Sequence, residues 1–164
     1  MFDFEGSPYY ENDFVEGKVT NNKGESEDLY FCFNVLDEVF HVKKNLNSSK
    51  VYELPDVSDL LFSTKDCKYL RKDKNSNLPG GNLKYVIEFR NEKNYQVVGV
   101  PMIDVFPAIP TSTPYHSTRN GKYKILTTYY ASLDNEEFSQ LDLKGKDLAE
   151  NIEHSNFLKK LEQD

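Results

Sequence analysis

The stretch "DLYFCFNVLDEVFHV", residues 28–42, decides how the rest of the chain is read. Leu29, Phe31, Phe33 and Val35 alternate with Tyr30, Cys32 and Asn34. A period of two puts the large apolar groups on one side of an extended chain, the signature of a half-buried strand. Leu36-Asp37-Glu38 interrupts the alternation, and Val39 and His41 then alternate with Phe40 and Val42. The pattern predicts two strands around a tight connection. The same residues also permit a chemical reading, because Cys32, Asp37, Glu38 and His41 form a nucleophile or metal-like set. A Cys-His pair across a hairpin activates a thiolate only with an orienting group and an oxyanion site. No Gly-rich nest stands nearby, so the preferred reading is a core hairpin with Cys32 as a small buried hydrophobe and Asp37-Glu38 as a charged turn.

Working outward, alternation continues over most of the chain. "KVYELP" (50–55) is a short strand stopped by Pro55, and "LLFSTKDCKYL" (60–70) is a hairpin turning near Lys65-Asp66. "NSNLPGGNL" (75–83) is a turn cluster in which Gly80 and Gly81 supply positive φ. "LKYVIEF" (83–89) and "NYQVVGVPM" (94–102) form a hairpin with a polar tip, and "KYKILTTYYASLD" (122–134) and "EFSQLDL" (137–143) form a last one. Residues 107–121, with three prolines and many hydroxyls, read as a long loop. Residues 143–164 lose the alternation; Leu148 and Ile152, then Phe157 and Leu161, are four apart, which predicts one or two short C-terminal helices. The expected fold is a single, mainly β domain over 1–164, an antiparallel meander forming a sandwich or partly open barrel.

Composition bounds the function. The chain has 164 residues, a net charge of −7, eleven Tyr and eleven Phe. An acidic surface repels phosphate backbones, so no nucleic-acid partner is expected. The basic run "KYLRKDK" (68–74) reads as a solvated turn between strands. No window approaches the ~20 apolar residues of a membrane span, so no transmembrane segment is expected. Two cysteines, Cys32 and Cys67, are too few for a disulfide scaffold but allow one disulfide in an oxidising compartment. His41, His116 and His154 are scattered without metal-ligand spacing, and phosphate-loop, nucleophile-elbow and dinucleotide motifs are missing. Neither a metal nor a cofactor is expected, and no catalytic residue is assigned.

The order of short motifs resembles a known family. "GSPYYENDFVEGKV" (6–19), "FNVLDEVFHV", "KVYELP", "YVIEF" and "TTYYASLDNEEFSQLDLKGKDL" follow one another as they do in a family of small β-rich cell-envelope proteins from Flavobacteria and other Bacteroidetes. Members typically carry a signal peptide, which the N-terminus "MFDFEGSPYY" lacks. The resemblance implies a periplasmic or outer-membrane-associated location; a natively complete chain would be cytoplasmic. The family has no assigned activity, so the resemblance implies no catalytic residues.

Tyr-rich segments are the remaining candidates. Tyr offers recognition area at low entropy cost. Tyr9 and Tyr10 in "SPYY", and Pro114, Tyr115, His116 and Arg119 in the long loop, are the candidate partner-binding residues. The leading expectation is a non-enzymatic protein-binding or scaffold component, an accessory subunit of a larger assembly. The alternative is a carrier of a small apolar ligand or lipid in a β-barrel cavity, and a third reading is a hydrolase with an unrecognised site.

Overall fold

The structure, a computed structural model, describes residues 4–54, 59–75, 77–109, 120–134 and 136–141. These residues form one sheet of eleven strands: β1 (Phe4–Glu5), β2 (Val15–Thr20), β3 (Ser26–Asn34), β4 (Val39–Lys43), β5 (Tyr52–Leu54), β6 (Leu61–Ser63), β7 (Lys68–Arg71), β8 (Tyr85–Glu92), β9 (Tyr95–Phe106), β10 (Gly121–Leu133) and β11 (Ser139–Gln140). The spatial order is β1-β10-β9-β8-β7-β6-β2-β3-β4-β5, with β11 also pairing β10. Two antiparallel meanders, β2 to β5 and β6 to β10, join where Lys18–Thr20 pair with Leu61–Ser63. The chain is mainly β as expected, and the sheet is not closed into a barrel. One detail departs from an all-antiparallel meander: β1 runs parallel to β10, with Phe4 opposite Gly121, which makes the sheet mixed.

The aromatic core shows how far the sheet curls. Phe40 of β4 and Tyr69 of β7 have ring centroids 5.2 Å apart. Three strands stand between them in the sheet order. A flat sheet would separate them by roughly 19 Å, at about 4.8 Å per strand. The sheet therefore folds over on itself, so that β3 and β4 face β7 and β8 across a sandwich-like interior. Phe31, Phe33, Phe40, Phe62, Tyr69 and Tyr85 fill that interior. Phe40 stacks on Phe62 at 3.8 Å, and most other ring pairs meet edge to face. Edge-to-face contact suits the ring quadrupoles and adds to area burial.

The expected hairpin is present. Cys32 pairs with His41 and Phe33 with Phe40, and residues 35–38 form the turn. Glu38 takes a left-handed φ of 54° there. Its carboxylate accepts from the backbone N–H groups of Lys84 (2.7 Å) and Tyr85 (3.4 Å), which pins the turn to the facing half of the sheet. Asp37 donates its N–H to Asn34 Oδ1 at 3.0 Å.

β8 is buried on both sides. Tyr85 and Ile87 point into the aromatic core, while Val86 joins a second cluster with Leu78, Val98 and Val100. The turn cluster 77–83 supplies Leu78 and Leu83 to this outer layer, so it is a lid as well as a turn. Gly80 and Gly81 hold φ of 117° and 57°, which L side chains rarely adopt. The basic run 68–74 splits: Lys68–Arg71 is β7 and Lys72–Lys74 a single 3₁₀ turn. It is not only a solvated turn, because Tyr69 is buried and Arg71 lies over the Tyr85 ring.

The disulfide between Cys32 and Cys67 is not made; both are free thiols. Cys32 alternates with Phe31 and Phe33 and so faces away from the aromatic core, whereas Cys67 packs against that core. Thiols on opposite sides of one sheet cannot meet bridging geometry. The helices expected over 143–164, with His154, lie outside the described residues.

Candidate functional site

Three places on the molecule gather chemistry. The first grows from the opening hairpin. Register lines up Cys32, His41 and Glu53 in one row across β3, β4 and β5. The N-terminal segment crosses this row, held by an isolated bridge between Tyr9 and Asn34. Tyr9 Oη lies 2.5 Å from His41 Nδ1, and His41 Nε2 lies 3.6 Å from Glu53 Oε1. Burial, then the nearby Cys32, Glu53 and Asp37, hold the Tyr9 phenol above its ordinary value. Tyr9 and Glu53 thus engage the two ring nitrogens of His41, Tyr9 at Nδ1 and Glu53 on the Nε2 side.

Cys32 stands in this row without the exposed, low-pKa setting of a nucleophilic cysteine. It is 3 % exposed, and burial pushes its thiol up to about 12. Nucleophilic cysteines need the opposite shift. Asp37 and Glu38 are engaged in the turn and do not converge on it. Of the four residues that suggested a reactive set, the structure brings together only Cys32 and His41. Among the described residues, no group of three or more His, Cys, Asp or Glu side chains could hold a metal ion.

The second place is a cleft of about 740 Å³ between the N-terminal segment, β2 and the β6–β7 turn. Its depth is set by Tyr10, Glu11, Tyr69 and Phe89. Glu11 accepts from the Tyr69 hydroxyl through Oε1 and from the Phe33 N–H through Oε2, the latter at 2.8 Å. Burial pushes the Glu11 carboxyl up, and these two hydrogen bonds work against that rise. Burial likewise raises the Tyr69 and Tyr10 phenols. Tyr10 lies close to Thr127 and Tyr129 of β10, so the N-terminal segment reaches the opposite end of the sheet. Cys67 lines the same cleft; its Sγ is 3.4 Å from Thr64 Oγ1, and burial pushes its thiol up to about 11. Gly17 lies beneath: a Cβ there would stand 2.5 Å from the Phe31 ring and from the Ser63 carbonyl oxygen.

The third place is the far end of the β9–β10 ribbon. Met102 and Leu126 are direct cross-strand partners, 59 % and 54 % exposed. By parity they continue the face that carries Val98 and Val100, so a buried outer layer runs out into open apolar surface. Phe106, of the same parity, is also exposed, as are Val105 and Ile109.

The residues singled out for partner binding fare unevenly. Tyr9 is engaged with His41, and Tyr10 packs on the core; both are half-buried. Pro114, Tyr115, His116 and Arg119 lie outside the described residues. Sequence reasoning missed Glu11, a single carboxylate in a non-periodic segment, and the Met102–Leu126 pair. The second was legible as two apolar residues in neighbouring strands; their exposure was not. Comparison with protein-family models, with curated proteins and with solved structures finds no match to this chain.

Proposed function

We propose that this chain is a non-enzymatic protein-binding component of a larger assembly at the bacterial cell envelope. The observation that carries the binding reading is the exposed Met102–Leu126 pair. Scattered exposed apolar residues are ordinary, but a cross-strand pair continuous with a buried layer is the kind of surface partners cover. The pair borders Asp104 and Lys124, themselves cross-strand partners, which supply a polar rim. With a net charge of −7, the fitting partner is a protein presenting an apolar patch within a basic surround. The envelope location rests on the motif resemblance alone. No helix among the described residues is long and apolar enough to cross a membrane.

A photo-crosslinking amino acid at Leu126, in native cells, tests the reading. It is expected to give one discrete heterologous adduct, absent when the crosslinker stands at Glu27 on the exposed start of β3 and lost on Met102→Lys. No adduct at Leu126, or one equally strong at Glu27, overturns it. The second reading, an apolar-ligand carrier, needs an interior void. The interior is occupied by rings with centroids 3.8 to 5.8 Å apart, so no specific observation favours it.

A further inference from the structure

We infer that the cleft over Glu11 is a binding site for a small organic cation, an ammonium group carried on an aromatic body. The inference is independent of the partner surface, which lies at the far end of β9 and β10. Its first support is an unmatched charge. Glu11 is a half-buried carboxylate that makes no ion pair among the described residues, whose pairs involve Lys18, His41, Arg71 and Lys74 with other acids. Carboxylates drawn out of water are ordinarily paired with a cation or hydrogen-bonded. Its donors are all neutral: the Tyr69 hydroxyl on Oε1, the Phe33 N–H on Oε2, and its own backbone N–H. With about four acceptor sites on its two oxygens, the carboxylate has room for one further donor.

The walls fit the same ligand. Tyr10 and Phe89, both half-buried, line the cleft with aromatic surface, and a cation over an aromatic face is attracted by the ring quadrupole. The rim adds Glu16, Asp28 and Asp66 against Lys18 and Lys65, so carboxylates outnumber ammonium groups by four to two once Glu11 is included. Lys18 is moreover turned to Asp28 at 4.0 Å. An anionic ligand would meet the wrong sign, and a purely apolar one would leave Glu11 desolvated without a counter-charge. The volume of about 740 Å³ lies within the range of small-molecule sites, roughly 300–1,000 Å³.

Cys67 gives the test a built-in reporter, because it lines the cleft while Cys32 is buried on the other face. Three probes of one shape are titrated into the full chain near neutral pH: phenethylammonium, its neutral N-acetyl amide, and the anion phenylpropionate. Affinity is read by calorimetry and occupancy by the rate of Cys67 alkylation. The expected order is ammonium tightest, about tenfold or more over the amide, which is the worth of one charge-assisted hydrogen bond. Saturating ammonium is expected to slow Cys67 alkylation. Glu11→Gln is expected to abolish the preference for ammonium over amide, and Phe89→Leu to weaken ammonium binding about threefold through the lost ring face.

Equal affinity for ammonium and amide, or an unchanged alkylation rate at saturation, overturns the inference. So does binding of acetyl-lysine amide without binding of phenethylammonium, which would assign the cleft to a peptide side chain. Should Glu11→Gln fail to fold, the three-probe series on the unmodified chain still decides.

Discussion

Along β3 the chain passes from exposed at Ser26, Glu27 and Asp28 to buried from Phe31 to Asn34. Along β9 it passes the other way, buried from Val97 to Pro101 and then largely open through Met102, Asp104, Val105 and Phe106. Both strands carry alternating apolar residues and both belong to long hairpins. What separates them is what lies across from them. The inner end of β3 meets β7 and β8 through the fold-over of the sheet, and its outer side is crossed by the N-terminal segment at Tyr9. The outer end of β9 has no such cover among the described residues. Alternation therefore reports that a strand exists and which side is apolar; cover is decided by distant parts of the chain.

The contrast is broken most severely at the covered end. Phe40→Ala removes the ring that meets Phe31, Phe33, Phe62, Tyr69 and Tyr85. It is expected to cost about 3–5 kcal/mol, measured by chemical denaturation. Gly17→Ala drives a methyl group into the Phe31 ring and the Ser63 carbonyl and is expected to cost about 1–3 kcal/mol, with a matching fall in Tm. Tyr69→Phe takes away one of the donors that hold Glu11 and is expected to cost about 1–2 kcal/mol, the range for losing one hydrogen bond to a charged group that keeps its other partners.

The pH dependence sharpens the same region. Glu11 has its carboxyl raised in the folded state, so the fold binds this proton more tightly than the unfolded chain does. Its contribution is present below the ordinary glutamate value of 4.5 and is lost as pH rises through the raised one. The stability of Glu11→Gln minus that of the natural chain should therefore increase with pH across that window and level off above it. A difference that decreases with pH would mean that the Tyr69 and Phe33 hydrogen bonds outweigh burial.

The smallest stability effect belongs to the open end. Met102→Ser and Leu126→Ser are expected to move stability by no more than about 0.5 kcal/mol, because both side chains are exposed, while Met102→Ser removes the adduct formed by the crosslinker at position 126. A large loss of stability in either variant would show that this end is covered, and the contrast between the two hairpins would collapse.

How much of this was written in the sequence follows from range. The hairpin at 28–42, the positive-φ glycines at 80 and 81 and the β6–β7 turn are encoded by neighbours within a few residues, and each was legible. The fold-over of the sheet is encoded by contacts such as Phe40 with Tyr85 and Glu38 with Lys84, far apart along the chain. The opposing faces of Cys32 and Cys67 follow from that fold-over, which is why the pairing looked open from spacing alone. Glu11 carried no signal because its neighbours "YYENDF" have no period, and its meaning comes from Tyr69 and Phe33.

The parallel pairing of β1 with β10 has a consequence for how the molecule is made. Phe4 docks at Gly121, where a Cβ would stand 2.4 Å from the Phe4 ring, so any side chain there would turn the ring out of its present seat. β1 has to wait for its partner in β10, more than a hundred residues later, to be synthesised, roughly 6–25 s at ~5–20 residues per second. β1 therefore joins the sheet only after β2 to β9 have been made, and its place is held open by a strand that does not yet exist when it leaves the ribosome.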